Sequence, residues 1–209
     1  MLFDVEAVTR FEVEIVQHYR RAECAVFRKT ADRWGEFSNM AGGFPLVVND
    51  VPILTSEALY QACRFPHLPK VQREIIAQAS PMAAKMKGKP HRTDARPDFD
   101  ALRVPIMWWS LRVKLACNLR EFSRILLASE DRPIVEDSHK DTFWGAKRTK
   151  EDEQLLVGQN VLGRLLGLLR DLLRQHGSEA LRVVLPPDIP TFLLYGEPIG
   201  SVEGKADPT

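Results

Sequence analysis

The chain has 209 residues, 44% of them apolar, which is enough to bury one core, so a single domain is the default expectation. Its net charge of +1 excludes a general attraction to nucleic acid, and the lack of any apolar run of about 18 residues argues against a membrane span. Residues 1–6 carry acids where a signal peptide carries bases, and the three cysteines are widely spaced. We therefore expect a cytoplasmic protein with neither a disulfide framework nor a membrane partner.

Basic residues are concentrated in one part of the chain. Eight lysines and arginines stand against three acids between Lys85 and Lys114, so this run has a local excess of five positive charges. Such a run could hold phosphates. A solvated surface is the alternative, and the charge run alone favours it.

The first third of the sequence alternates between helix and strand signals. Loosely periodic valines predict a helix up to about residue 22, and residues 24–30 are typical of a strand. Two short apolar runs, 44–48 and 51–54, flank Asn49-Asp50 and predict a hairpin.

Three helix starts follow from capping signals. A helix is predicted to begin at Ser56, capped by the threonine before it. Another has Ser80 as its cap and Gly88 as its stop, and a third is expected to open at Pro105 and run to about residue 117. Trp108 and Trp109 on that third helix are assigned to the core.

The strongest helical pattern lies between Asn160 and His176, where leucines recur in pairs and Gly177 ends the helix. Gly163 and Gly167 lie four residues apart on it and predict one close contact within a core helix.

Two strand-like runs, 181–185 and 191–195, follow this helix, and residues 200–209 are expected to be disordered. The pattern as a whole predicts a mainly helical α+β single domain with a small antiparallel sheet.

An acidic and aromatic segment is the most informative part of the sequence. Glu136, Asp137 and Asp141 precede Trp144 and Gly145 within ten residues. Acids beside an aromatic plane suit a site that holds a flat ring and stabilises positive charge. Cleavage of a sugar from a base makes both demands, because its transition state resembles an oxocarbenium ion and its leaving group can stack.

Two further residues have both a functional and a plain interpretation. Glu57 is either a functional carboxylate or a first-turn acid that complements the helix dipole. Asn39 either reads a base edge or a ribose hydroxyl, or it merely closes a turn. The five histidines show no metal-ligand spacing, so we expect neither a metal nor another cofactor.

The order of these pieces resembles the YbiA-like, or NADAR, family over roughly residues 24 to 175. The matching segments are 37–39, 55–65, 96–100, Met107 with 111–114, 136–138 with Asp141, 144–145 and 158–163. The resemblance implies a YbiA-like fold and an N-glycosidase that acts on ribosylated, phosphate-bearing bases. Some members cleave phosphoribosylamino-pyrimidine intermediates of riboflavin synthesis, and others resemble hydrolases that remove ADP-ribose from guanine in DNA.

The resemblance also implies roles for individual residues. Glu57 and Asp141 would be the catalytic carboxylates, one holding water and the other stabilising the oxocarbenium charge. Trp144 would stack on the base, with Phe37 as the opposing wall. The other residues assigned to substrate binding are Asn39, Arg64, Lys85, Phe99, Arg112, Asp137, Gly145 and Asn160, with Arg64, Lys85 and Arg112 directed at phosphates.

Departures from the family pattern bear on the substrate. Phe99 stands where the family often has a tryptophan, and Arg64 replaces the usual lysine and offers a planar fork for phosphate. We divide the chain into an N-terminal helical extension (1–22), the glycosidase domain (23–177) and a C-terminal extension (178–209).

These departures favour ADP-ribosylated guanine in DNA as substrate, and for that substrate the resemblance implies a DarT-type ADP-ribosyltransferase toxin as functional partner. A glycosidase of riboflavin precursors and a non-catalytic ADP-ribose-binding module remain as alternatives.

Overall fold

The computed structural model describes residues 14–204. Its helices within that range are α1 (Ser56–Ala62), α2 (Pro69–Ile76), α3 (Pro81–Gly88), α4 (Phe99–Cys117), α5 (Leu119–Ala128) and α6 (Val161–His176). The strands are β1 (Gln17–Arg20), β2 (Ala25–Phe27), β3 (Leu46–Val48), β4 (Val51–Ile53), β5 (Ile134–Glu136), β6 (Lys147–Arg148), β7 (Leu155–Gly158), β8 (Val183–Val184), β9 (Leu193–Leu194), β10 (Glu197–Pro198) and β11 (Val202–Glu203). The predicted α+β class, mainly helical with little sheet, is confirmed.

The strands form several small sheets rather than one. The largest is antiparallel, in the order β1-β7-β6, while β2 and β5 pair in parallel. The hairpin of β3 and β4 was predicted correctly, and Asn49 and Asp50 at its turn both have positive φ, 48° and 60°. Two positive φ values suit the tight turn that matches strand twist. No helix among residues 14–204 is long and apolar enough to cross a membrane.

The described chain forms two compact units that alternate along the sequence. The first contains residues up to 38 and 126–171, and the second contains 39–125 and the residues from 172 onward. The division into two extensions and a glycosidase domain stays a prediction.

The first unit is built around β1, β5, β7 and the beginning of α6. Tyr19, Val135, Ala146 and Leu156 form one buried cluster in it. The predicted N-terminal helix is wrong for residues 17–20, which form β1 and pair with β7. Tyr19 is the buried side chain of that strand, and cross-strand packing overrides the loose valine periodicity. The valines before residue 14 lie outside the described residues.

The second unit has α1 at its centre. All seven residues of α1 are buried, and the helix packs on α2, α3 and α4. The predicted start at Ser56 is confirmed, since Thr55 Oγ1 accepts a hydrogen bond from the Ala58 amide at 3.3 Å. The start of α3 is confirmed in the same way by Ser80.

The predicted start of the third helix at Pro105 is wrong, because α4 begins six residues earlier and contains this proline. Proline removes the hydrogen bond to the carbonyl of Ala101, an exposed residue whose carbonyl water can hydrate. Trp108 and Trp109 are core residues as predicted, 4% and 2% exposed.

The structure differs from the sequence-based predictions in several further elements. It contains α2 and α5, which we did not predict, although α2 has proline at its start. The strand-like runs shorten to β8 and β9, and β11 lies in the segment expected to be disordered.

The helix α6 was predicted almost to the residue and supplies a test of packing. An alanine Cβ at position 163 would lie 2.0 Å from the Ile134 carbonyl oxygen, whereas at position 167 the nearest atom, in the flexible Arg170 side chain, is 4.0 Å away. We expect Gly163→Ala to lower the free energy of unfolding by about 3 kcal/mol through overpacking. Gly167→Ala is the matched control and should raise it by about 0.5–1 kcal/mol through helix propensity. Urea unfolding measures both, and equal effects would contradict the contact at Gly163.

Candidate active site

One face of α1 and the turn after the helix carry three polar side chains in contact. Glu57 and Gln61 are four residues apart on α1, so they lie on the same side of the helix, and Arg64 follows Gln61 by three residues in the turn after it. The Gln61 amide Nε2 donates to Glu57 Oε1 at 2.9 Å, and Arg64 Nη1 donates to Gln61 Oε1 at 3.4 Å. The Glu57 backbone N–H donates to the Asn39 carbonyl at 3.2 Å, which ties the loop before β3 to this face.

The carboxyl group of Glu57 is held in a nearly dry environment. The residue is 6% exposed, and burial raises its pKa above the usual glutamate value. The positive charge of Lys85 on α3 opposes that shift, as do the charge of Arg64 and hydrogen bonds from Gln61 and Asn39. A buried carboxyl with opposing influences of this kind can exchange a proton closer to neutral pH, as general acid–base chemistry requires.

Two buried polar atoms beside Glu57 lack a partner. Asn39 Oδ1 accepts no hydrogen bond, and the Asn39 amide nitrogen donates to the soft Met107 sulfur at 3.1 Å. Arg64 Nε is also buried without an acceptor. Because buried polar groups are almost always paired, an unpaired acceptor and an unpaired donor near one carboxyl indicate a place for a polar ligand.

Aromatic rings form the apolar side of this cluster. The Arg64 guanidinium lies 4.5 Å from the centre of the Phe99 ring, and the Tyr60 ring is 5.7 Å from it. Phe99 is 8% exposed, so this contact orients Arg64. Asn39, Glu57, Arg64, Lys85 and Phe99 are thus brought together in the second unit.

The basic run from Lys85 to Lys114 is not one surface. Arg96, Arg112 and Lys114 are 5%, 8% and 0% exposed, and the Lys114 ammonium lies 4.6 Å from the Phe44 ring. Burial lowers the pKa of Arg112 to about 10. These three side chains belong to the interior of the unit, so the run forms neither a continuous basic patch nor a continuous solvated surface. The assignment of Arg112 to phosphate stays a prediction.

Asp137 of the acidic segment is a structural ion-pair residue in the first unit. Its side chain is 3% exposed, and Oδ2 accepts from Arg21 at 2.5 Å and from Arg148 at 2.7 Å. Burial acts to raise its pKa, but the two guanidinium groups outweigh burial and hold the pKa below the usual range.

Asp141 organises the loop that contains Trp144. Its Oδ1 accepts from the backbone N–H groups of Phe143 and Trp144, both at 2.9 Å, and its own N–H donates to Ser138 Oγ at 3.0 Å. Asp141 is exposed and Trp144 is half-buried. The assignment of catalysis to Asp141 and of stacking to Trp144 stays a prediction.

The Trp144 loop is also fixed to the start of α6. The carbonyls of residues 142–145 accept hydrogen bonds from the N–H groups of residues 159–162, at 2.7–3.1 Å. The Asn160 side chain is fully buried and bridges the Ile134 carbonyl, at 2.8 Å, and the Glu136 N–H, at 3.1 Å. At Gly145 a Cβ would lie 2.6 Å from the Glu136 carbonyl oxygen, so glycine is required by this close approach.

Phe37 is a core residue. It is 0% exposed, stacks on Trp34 at 5.7 Å and meets Phe27 edge-on at 6.0 Å. Its ring is enclosed by the core in this structure, and its assignment as a substrate-facing wall stays a prediction. Gln61 and Met107 are contacts of the site that we missed, although both lie in the matching segments.

Within the described residues, no group of three or more histidines, cysteines or acids is arranged to hold a metal ion.

The fold agrees with the comparisons with known proteins. The model of the NADAR domain family matches residues 26–174, and this chain belongs to that family. Its relatives include the N-glycosidase YbiA of Escherichia coli, 32% identical over 76% of this chain and 93% of that protein. The NMR structure of E. coli YbiA superimposes with a TM-score of 0.61 at 31% identity, over 76% of this chain and 89% of YbiA. The riboflavin biosynthesis protein VVA0006 of Vibrio vulnificus is 31% identical over 68% of this chain but only 38% of its own length.

The ion pairs of Asp137 predict a pH-dependent contribution to stability. Its lowered pKa means that the ionised carboxylate stabilises the fold above the unfolded-state pKa of about 3.9, and that this contribution is lost as pH falls through the lower folded-state pKa. We expect Asp137→Asn to lower the free energy of unfolding at pH 7 by about 2 kcal/mol. The deficit should shrink at low pH, as followed by urea titrations.

The matched control for Asp137 is Glu121, whose pair with Arg124 at 2.6 Å lies on the surface. Glu121→Gln should change stability little, since exposed pairs contribute little. A deficit in Asp137→Asn that stayed constant down to the acid limit would contradict the assigned ion pairs.

Proposed function

We propose that this chain is an N-glycosidase that removes ADP-ribose from guanine bases in DNA and counteracts a DarT-type ADP-ribosyltransferase toxin. The observation that carries the glycosidase proposal is the buried Glu57 carboxyl beside two unpartnered polar atoms, Asn39 Oδ1 and Arg64 Nε. The similarity to N-glycosidase YbiA over most of both chains supports the same reaction class.

The reaction breaks the bond between ribose C1 and a nitrogen of the base, and water replaces the base. Glu57, with its raised pKa, takes a proton from the attacking water and returns it to the leaving nitrogen. The burial of Glu57 strengthens its interaction with the oxocarbenium charge, because the local dielectric is low. Asp141 as second carboxylate and Trp144 as stacking residue rest on the family motif alone.

The polar atoms around Glu57 bind different parts of the substrate. Asn39 Oδ1 accepts from an N–H or hydroxyl of the sugar or base, and Arg64 Nε donates to a phosphate or hydroxyl oxygen. Stacking of Arg64 on Phe99 at 4.5 Å aligns the guanidinium plane for this. An arginine fork and a phenylalanine in place of an indole favour the longer, phosphate-rich ADP-ribosyl substrate.

A glycosidase of riboflavin precursors is the second candidate. Two relatives are named riboflavin biosynthesis proteins, from Vibrio vulnificus and from Zea mays, and the latter is 27% identical over 78% of this chain. The burial of Glu57 argues against a purely ligand-binding module. A buried carboxyl group destabilises the fold, and a role in proton transfer accounts for its presence.

Replacing Glu57 tests the reaction class. Glu57→Gln preserves shape but cannot carry the proton, so we expect glycosidase activity to fall by at least about 10²-fold. Its raised pKa means that the folded state disfavours ionised Glu57, a penalty that grows as pH rises through the unfolded-state pKa of about 4.3. The variant should therefore melt at the same or a higher temperature at pH 7.

The control is Glu74→Gln, which removes a surface partner of Lys87 at 3.2 Å and should keep full activity. A Glu57→Gln enzyme with wild-type turnover would sink the proposal that Glu57 is catalytic.

A side-by-side assay decides the substrate. The purified protein should release ADP-ribose from single-stranded DNA carrying modified guanine with a higher kcat/KM than it shows on a phosphoribosylamino-pyrimidine. Lys85→Ala should raise KM for the modified DNA at low salt, whereas Lys87→Ala should not, since Lys85 is the lysine coupled to Glu57. Faster cleavage of the pyrimidine would move the protein to the riboflavin class.

A further inference from the structure

Gln61 on α1 lies between Glu57 on the same helix and Arg64 in the turn after it, and it contacts both. It is 5% exposed, and its two amide atoms make separate hydrogen bonds, Nε2 to Glu57 Oε1 at 2.9 Å and Oε1 from Arg64 Nη1 at 3.4 Å. No role was assigned to it from the sequence.

The chemistry of the two neighbours fixes the orientation of this amide. A guanidinium group can only donate, and an ionised carboxylate can only accept. If the Gln61 amide were reversed, its NH₂ would face the Arg64 donor and its oxygen would face the Glu57 carboxylate. Both contacts would then be repulsive, so only one orientation is compatible with ionised Glu57.

We propose that Gln61 is a positioning residue, which holds the Glu57 carboxylate in one rotamer and favours its ionised form, with Arg64 fixing the amide orientation. The proposal rests on the proposed role of Glu57 in proton transfer. Gln61 itself touches no substrate in this account, in which its amide bonds Glu57 and Arg64. A donor N–H stabilises the charged form of a carboxyl, so loss of Gln61 should raise the pKa of Glu57 further.

Other groups also face Glu57 and must be separated from Gln61 in a test. They are Lys85 from α3, Tyr60 from α1, Arg64 from the turn after α1 and Asn39 from the preceding loop, while Arg103 from α4 acts through Tyr60. Lys85 is exposed, so its influence weakens as salt rises. Gln61 is neutral and buried, so its influence should persist at high salt.

The chain offers a matched control for Gln61. Gln72 is another fully buried glutamine in the same unit, on the neighbouring helix α2, and its amide bonds the backbone of Ala62, Leu193 and Tyr195. Gln72→Leu removes buried hydrogen bonds without touching a carboxylate. It therefore reports what any loss of a buried amide does to the fold.

The experiment follows the Glu57 side-chain carboxyl by ¹³C NMR against pH in the full chain, at low and at high salt. In Gln61→Leu the pKa of Glu57 should rise by about one unit at both salt concentrations, and in Gln72→Leu it should not move. With active substrate, the acid limb of the kcat profile should shift by the same amount. We expect kcat at its plateau to fall about tenfold while KM changes little, because a misplaced general base slows chemistry more than binding.

A second variant keeps the test decisive if Gln61→Leu fails to fold. Gln61→Met keeps the length of the side chain and the charge of Arg64 but cannot donate to Glu57, so it should raise the pKa of Glu57 in the same direction. An unchanged Glu57 titration in the folded variants, or an equal shift in Gln72→Leu, would overturn the positioning role. Failure of the wild-type protein to cleave any N-glycoside would overturn the proposed function instead, and the NMR titration tells these two failures apart.

Discussion

The candidate site in the second unit depends on the burial of a carboxyl group at the start of α1, a helix that has no exposed residue. Burial of Glu57 is unfavourable, and the surrounding structure limits this cost in three ways. The N-terminal position on α1 places the carboxyl near the positive end of the helix dipole. Gln61 donates to it at 2.9 Å, and Lys85 and Arg64 supply positive charge without closing a tight ion pair. The remaining imbalance leaves the Glu57 pKa raised, which is the property that proton transfer needs.

In the polar interior of this unit, each group around the Glu57 carboxylate stabilises its charge only in part. Arg64 stacks on Phe99, bonds Gln61 weakly at 3.4 Å and keeps a buried Nε unpaired. A complete ion pair with Glu57 would lower the carboxyl pKa and satisfy the guanidinium, which would leave nothing for a substrate. The unpaired donor and the unpaired Asn39 acceptor are the expected signs of a site that is completed by its ligand.

In the first unit, the acidic and aromatic segment does different work from that suggested by its composition. Two of its acids are used by the fold, Asp137 in ion pairs and Asp141 in a turn at Trp144. The carbonyls after Asp141 take up the N–H groups at the start of α6, which would otherwise be unsatisfied. The same residues therefore fix the loop in place, and a rigid loop is the form in which a stacking tryptophan is useful.

The sequence by itself determined the features that depend on neighbouring residues along the chain. Thr55 before α1, Ser80 before α3 and Gly177 after α6 were readable because caps act within a turn of the helix. The Asn49-Asp50 hairpin was readable because both residues tolerate positive φ. The order of short motifs was sufficient to indicate the family, and Glu57 among its residues.

Only the tertiary structure decided the features that depend on distant partners. The strand β1 exists because β7 lies beside it, and α4 passes through Pro105 because residues 106–116, which follow it in the helix, are buried. Nothing in the local sequence distinguishes Phe37, Arg112 and Lys114 from residues that face solvent or a ligand. In the structure all three are buried in the interior. The spacing of Gln61 from Glu57 and Arg64 is compatible with contact to both residues. Only the structure shows that these contacts are buried, where water does not compete for the same hydrogen bonds.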